Sequence, residues 1–406
     1  MISIDGQISM FEGKQPLKIT KPIRLIELFA GIGAQAKALE NIGVKFEHYR
    51  ICEFDKYAVA SYNAVHGTEF TTSDITKIHA SDLGIVETDK YEYIMTYSFP
   101  CTDLSKAGKQ QGMSRESGTR SGLLWEVERL LKEAEELPQI LLMENVPDVL
   151  SEKNRADFFE WYRFLEDLGY TNRYAKLNAK DYGIPQNRER VFMVSFLGDY
   201  YYRFPNSKSI DVRLKDVLEE NIDKKYYLSD KLIHSFVHNE EKQRDKGNSF
   251  KFSLSNEEDN AKAITTKAGW RMTDNFIKCE CVGKISAGLE MNSRVYSSDG
   301  LSPTILTMQG GGLQPKILDE QNRNIRKDGI VGTLTTDGSS PKHNNRVIEP
   351  DFRIRRLTPK ECWRLMGFSD EDFEKAREIN SDTQLYKQAG NSIVVPVLEA
   401  IFRQML

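Results

Sequence analysis

The residues of this chain best suited to chemistry are Cys101, Glu144 and the pair Arg188 and Arg190. Cys101 follows the apolar run YEYIMTY through Ser98-Phe99-Pro100. A thiol placed just beyond a strand sits on the edge where α/β sheets bind ligands, and Pro100 stiffens the turn. A single cysteine is also a common small core residue. The polar, Gly-rich stretch 103–120 argues against burial here, and its Lys and Arg side chains suit a lid over a polyanionic substrate. Glu144 ends a second apolar run, QILLM. Partial burial of its carboxyl raises the pKa and turns it into a hydrogen-bond donor. In Gln186-x-Arg188-x-Arg190, strand alternation puts both guanidinium groups on one face, where they either hold a phosphate or carbonyl oxygen or are simply solvated.

A second group of residues points to an adenosine-type cofactor. RLIELFA runs straight into Gly31-Ile32-Gly33, a strand-to-helix turn whose glycines let backbone approach a ligand near a helix N-terminus. The turn is not a full dinucleotide fingerprint, because Ala36 stands where a third glycine belongs. Glu53 ends the next strand and is placed to accept from ribose hydroxyls, and Phe54 beside it can pack on adenine. Asp74 with Ile75 offers an acceptor for the adenine amino group. A Rossmann dehydrogenase would share the first turn, but nothing further along supplies a hydride-transfer site.

These residues fall at the ends of apolar runs that alternate with amphipathic segments: RLIELFA then AQAKALENIG, HYRICEF then KYAVASYNAVHG, YEYIMTYSF then GLLWEVERLLKEAEEL, QILLMEN then ADFFEWYRFLEDLG. Four strand-then-helix units in a row predict an α/β fold with a parallel, doubly wound sheet. YAKLNAK and RVFMVSFLG add two strands. Residues 1–20 read as an extension, 21–203 as the catalytic and cofactor-binding domain, 204–352 as a smaller, mostly β domain, and 353–406 as a helical segment returning to the first. Within the third part, AKAITTKAGW, SPTILTMQGGG and VGTLTTDGSS each pair a β-branched strand with a Gly-rich loop. They are either ordinary hairpins or units that present Thr, Gln, Lys and Arg to a nucleic-acid groove. Twelve Lys and Arg against eight Asp and Glu over 261–348 give that region a local basic bias.

The whole chain hides that bias: its net charge is −4 over 406 residues, so any nucleic-acid site is a local patch. No stretch is apolar enough to span a membrane and no secretory leader opens the chain, which points to the cytoplasm. Five scattered cysteines exclude a disulfide framework. Cys279-x-Cys281 lacks a second pair at ligand spacing and reads as two residues on one face of a strand rather than zinc ligands.

Taken in order, FAGIG, SFPC, MENV, QNRER and GNS, with LTPKECWRLMGF before the last, resemble the DNA cytosine-5 methyltransferase family of bacterial and phage restriction-modification systems. The resemblance covers nearly the whole chain from Arg24 onward. The run from YSFPC through GTRSGLLWE to LLMENV is similar to the subgroup that includes CpG methylases. The resemblance implies a Rossmann-like domain that binds S-adenosylmethionine through Phe29, Gly31, Gly33, Glu53, Phe54, Asp74, Pro100, Leu123, Asn391 and Ser392. It assigns Cys101, Glu144, Arg188 and Arg190 to the target cytosine and makes 204–352 the target-recognition domain. Double-stranded DNA is the implied partner of a monomeric enzyme, with a cognate restriction endonuclease on the same site as a further candidate. Thr102 stands where the family usually has Gln. Two alternatives are a tRNA cytosine-5 methyltransferase and a catalytically silent DNA-binding protein. The large region 204–352 favours DNA over RNA, and the intact Cys101, Glu144 and Arg190 favour catalysis.

The implied chemistry follows from the substrate. Cytosine C5 is a poor nucleophile, and addition of the Cys101 thiolate to C6 would place electron density on it. Glu144 would protonate or hydrogen-bond N3 while Arg190 held the O2 oxygen. The reaction needs no metal, and a base shielded in a stacked duplex must be flipped out to be reached.

Overall fold

The computed structural model describes residues 15–100, 113, 115, 120–207, 211–220, 222–229, 259–266, 274–281 and 351–406, with isolated positions between 232 and 295. Cys101, most of the polar stretch after it, and the repeats at 302–312 and 331–340 lie outside the described residues. The chain divides into two compact units: Met1–Arg213 with Asn260–Lys267 and Cys362–Leu406, and Leu214–Asp259 with Ala268–Glu361.

The first unit is built on a six-stranded sheet. Its strands are β1 (Ile23–Leu28), β2 (Phe46–Cys52), β3 (Glu92–Tyr97), β4 (Ile140–Asn145), β5 (Tyr170–Asn178) and β6 (Glu189–Leu197). They lie in the order β2-β1-β3-β4-β6-β5. The described helices of eight residues or more are α1 (Ala34–Asn41), α2 (Lys56–His66), α3 (Leu124–Glu133), α4 (Arg155–Asp167), α5 (Asp370–Arg377), α6 (Asp382–Asn391) and α7 (Val395–Phe402). This is the expected doubly wound α/β architecture, with one departure from an all-parallel sheet: β6 runs antiparallel to both β4 and β5. Residues 179–188 are too short a connection for a helical crossover, so β6 returns beside β5 and fills the slot next to β4. The strand β5 also starts earlier than YAKLNAK suggests, because Gly169 (φ 94°) turns the chain out of α4 directly into it.

Strand alternation explains the two-sided core. Tyr93, Met95 and Tyr97 of β3 and Leu141 and Met143 of β4 pack with Leu124, Val127 and Leu130 of α3 and Phe158, Trp161 and Leu165 of α4. The intervening Ile94, Thr96 and Leu142 are just as buried, so the sheet is covered on its other face as well. There α7 packs on α1, where Asn41 Nδ2 donates to Glu399 Oε1 at 2.7 Å. From the central β1 the chain first steps outward to β2 and then crosses to β3 on the other side. The crevice at the carboxyl ends of β1 and β3 is therefore a topological switch point, where open α/β sheets bind ligands.

The second unit holds a short sheet in which Phe276–Cys281 pairs parallel with Leu254–Ser255 and antiparallel with Asp351–Arg356. The fully buried Arg355 meets Glu361 through two hydrogen bonds, 2.8 and 2.9 Å. The same carboxylate accepts the amides of Thr358 and Glu219, so this buried charge pair is compensated on both sides.

Gly33 precedes α1 at φ 78°, and an added Cβ would lie 2.3 Å from His66 Nε2 and 2.7 Å from Tyr62 Cε2. Gly33→Ala is expected to cost about 1–3 kcal/mol. A fall in the urea midpoint at unchanged m-value would register it.

Candidate active site

The turns that end β1 and β2 are tied into one surface. Phe29, itself left-handed at φ 58°, donates its amide to Cys52 O at 2.7 Å. Gly31 N donates to Glu53 Oε2 at 2.9 Å, Asp55 N to Glu53 Oε1 at 2.8 Å, and Ser73 N to Glu53 O at 2.9 Å. Desolvation pushes the Glu53 pKa up, and the amides of Asp55 and Gly31 pull it back. An added Cβ at Gly31 would meet nothing within 4 Å, so the backbone there faces open space. Phe54 is 77% exposed beside it.

The other cofactor candidates fall into two kinds. Asp74 Oδ1 accepts from the Thr76 hydroxyl at 2.8 Å and amide at 3.1 Å, which holds its carboxyl below the usual range. The Ile75 side chain lies in the core beside Leu83 and Ile85, and its carbonyl accepts from Arg129. Gly33 is backed by the rings of His66 and Tyr62, which an added Cβ would meet. Asn391 is exposed and Ser392 buried at the end of α6. Residues 388–391 form the last turn of that helix, with Ser392 as its C-cap. Lys387 pairs with Asp55 at 2.5 Å, and Gln388 bonds Ser61 Oγ and Tyr57 O, so the end of α6 is fastened alongside the Glu53–Phe54 turn.

On the neighbouring strands lie the remaining candidates that fall among the described residues. The turn that leads to Cys101 is held at two points: Asn145 Nδ2 donates to Phe99 O at 3.0 Å, and Ser121 Oγ donates to Pro100 O at 2.8 Å. Ser121 belongs to the turn Arg120–Leu123 that opens α3, which brings Leu123 and Pro100 to the same corner. Glu144 is 8% exposed and pairs with Arg190 Nε at 3.1 Å. Burial raises its pKa, against the pull of Arg190 and then Arg188. The buried Arg188 is engaged differently. Its guanidinium donates to Ile264 O (3.0 Å), Gly390 O (3.0 Å) and Ser392 O (2.9 Å), which makes it a tie between three chain segments.

A family model for C-5 cytosine-specific DNA methylases matches residues 23–406. The chain belongs to this family. The methyltransferase is 30% identical to the orphan methyltransferase M.SPRI of Bacillus phage SPR, with 95% of this chain and 97% of that protein covered. It is also 30% identical to the orphan methyltransferase M.SssI of Spiroplasma monobiae, with 94% and 97% covered. Among solved structures, the Entamoeba histolytica methyltransferase EhMeth superposes with a TM-score of 0.62 at 17% identity, covering 95% of this chain and 98% of that one. The S. pombe Dnmt2 methyltransferase gives 0.61 at 17% identity, with the same 95% and 98% coverage. These likenesses establish the fold shared with other methyltransferases. No described helix of the enzyme is long and apolar enough to cross a membrane.

Reading the methyltransferase by motif missed Asn145, which stands inside MENV and clamps the neighbouring turn. An amide directly after a buried carboxylate at a strand end was the available signal. It also missed Gly390, where an added Cβ would lie 2.4 Å from Thr266 N and 2.5 Å from Thr265 C. Nothing in the local sequence announces that contact. Because three carbonyls depend on one guanidinium, Arg188→Met is expected to lower stability by about 2–5 kcal/mol. Arg188→Lys should recover only part of the loss, since an ammonium cannot span all three. Denaturant titration of both variants measures this.

Proposed function

We propose that the protein transfers a methyl group from S-adenosylmethionine to C5 of a cytosine in double-stranded DNA, with Cys101 as the attacking thiolate. Glu144 carries this reading: it is an enclosed carboxyl held by Arg190, on the strand adjacent to the one that leads into Cys101. The cofactor suits the turns after β1 and β2. Gly31 faces open space, Phe54 presents an exposed ring, and Glu53 keeps lone pairs beyond those used by Gly31 and Asp55. Phe29, Asp74, Pro100, Leu123, Asn391 and Ser392 would complete its surroundings. When bound, S-adenosylmethionine supplies an electrophilic methyl group.

The residues of this chain do the rest. The Cys101 thiolate adds to C6 and drives the ring electrons toward C5, while Glu144 delivers its proton to N3 and Arg190 holds O2. C5 takes up the methyl group, a base removes the C5 proton, N3 returns its proton to Glu144, and elimination frees the thiolate. C6 is unreachable inside a stacked duplex, so the target base leaves the stack. Arg188 acts one step back, by fixing the carbonyls of Gly390 and Ser392 beside the cofactor turns. Residues 204–352 supply sequence recognition in this reading, and 353–406 complete the catalytic part.

Bisulfite sequencing of plasmid DNA from a host without its own cytosine methylase tests the proposal, with Cys101→Ser expressed in parallel. Protected cytosines confined to one short motif are expected for the wild type and none for the variant, which should keep its fold and its cofactor affinity. Protection by the serine variant would remove Cys101 from the mechanism, and unprotected DNA beside soluble wild-type protein would move the substrate to RNA or leave a silent DNA binder.

The raised pKa of Glu144 sets a pH dependence. Its proton is the catalytic one, so increasing pH through that elevated value removes the donor and lowers the rate, while thiolate ionisation raises it. The wild type should therefore show a bell-shaped single-turnover profile. Glu144→Gln should be slower by about 10²–10⁴-fold, still bind DNA, and lose the falling alkaline limb. An unchanged profile in the variant would assign that limb elsewhere.

A further inference from the structure

Behind the β1 turn, on the side away from the open face of Gly31, three donors from α1, β2 and α2 converge. Glu40 Oε1 lies 2.7 Å from His66 Nδ1 and 3.5 Å from His48 Nε2, and the three atoms are all within 4.8 Å of one another. The hydrogen bonds at the far side of each ring determine where its proton sits. His66 Nε2 faces Ile32 O at 3.2 Å, and a carbonyl can only accept, so this nitrogen carries the hydrogen. The Tyr62 hydroxyl donates to Glu27 Oε2 at 2.5 Å, which leaves Tyr62 as the acceptor of His48 Nδ1 at 3.1 Å. In the neutral rings, both remaining nitrogens then direct lone pairs at a single carboxylate oxygen. Such a cluster needs positive charge between its donors, supplied either by protons on the facing ring nitrogens, which the acceptor-only carboxylate can receive, or by a metal ion.

We propose that Glu40, His48 and His66 form a binding site for a divalent transition metal of the zinc type. Imidazole and carboxylate are suitable donors for such an ion, and each histidine has the outer hydrogen bond that ligating histidines require: a backbone carbonyl for His66, and a tyrosine backed by a buried carboxylate for His48. At ligand distances of about 2.0–2.1 Å, donors around a tetrahedral ion sit about 3.3 Å apart. The Glu40–His48 separation already meets this, and the Glu40–His66 separation must open by about 0.6 Å. Lys37 Nζ lies 3.8 Å from the other oxygen, Oε2, which leaves Oε1 to bind alone. The side chains of His48 and Glu40 are 20% and 32% exposed, so an ion and one water can reach the cluster from solvent, whereas the His66 side chain is enclosed. Because His66 also holds Ile32 O and packs on Gly33, a bound ion would brace the turn from behind without touching the reacting groups.

Titration of the purified full chain with Co2+ tests this, read by visible d–d absorption and by calorimetry, with Zn2+ used for displacement and for thermal unfolding. One equivalent of Co2+ should give a nitrogen and oxygen type spectrum, Zn2+ should bleach it, and the unfolding temperature should rise. His48→Gln and Glu40→Gln should weaken binding by about 100-fold or more, and Tyr62→Phe, which removes the outer hydrogen bond of His48 together with the donation to Glu27, by about 10–100-fold. The proposal is overturned if folded wild-type protein neither absorbs nor gains stability with excess Co2+ or Zn2+, the cluster then being a hydrogen-bonded imidazolium pair. A thiolate-to-cobalt band in the near ultraviolet would overturn it too, by placing the ion on cysteine.

Discussion

Phe29 and Ser73 direct their amides at the carbonyls of Cys52 and Glu53, and Gly31 directs its own at the Glu53 side chain. Each βα turn at the carboxyl edge is thus held by the next, and the described part of the site depends on that lattice. A turn after a parallel strand has no strand partner for its peptide groups, so a bonding scheme between turns is what lets polar backbone gather at the rim of an apolar sheet. The scheme forces Phe29 into the left-handed region, a cost that the surrounding bonds sustain. It also requires a carboxylate, since only a side chain with two acceptor oxygens can receive Gly31 and Asp55 together.

Burial of charge follows two patterns in the first unit. Glu27 is wholly enclosed, takes the Ala36 amide and the Tyr62 hydroxyl, and serves to hold the start of α1 against α2. Glu144 is nearly as enclosed and has Arg190 as its ion-pair partner, whereas Glu53 takes two backbone amides. Desolvation raises both Glu27 and Glu144, and the second lies at the carboxyl end of its strand, on the edge where open α/β sheets bind ligands. Arg188 and Arg190 divide in the same way. They share a face of β6 and its approach, yet one is spent on backbone carbonyls and the other on a carboxylate.

The fold was legible where burial leaves periodicity in the chain. YEYIMTY and QILLMEN are continuous apolar runs because β3 and β4 are covered on both faces, and their ends located Pro100 and Glu144. The reversed β6 was not, since a run such as RVFMVSF carries no sign of strand direction and only the short connection before it does. At the site, Gly31 and Gly33 look alike in sequence but face open space and packed rings respectively, a distinction that depends on α2. The reach of Arg188 to Ile264, across 76 positions, was equally hidden, because the strand segment Ala261–Lys262 pairs with Gln186–Asn187 through backbone atoms that any residue type could supply.

The contact between α1 and α7 has a consequence for how the molecule comes into being. Asn41 and Glu399 are separated by 358 positions, so the helix that follows the β1 turn lacks its cover until almost all of the described chain has been synthesised. Contacts of such sequence separation carry a large loop-closure cost and form late. During synthesis the apolar side of α1 would stay exposed while β3, β4 and their helices already have neighbours to collapse upon. A nascent chain of this enzyme should therefore acquire its DNA-modifying capacity only as a last step, with the sheet in place well before the pocket at its edge is rigid.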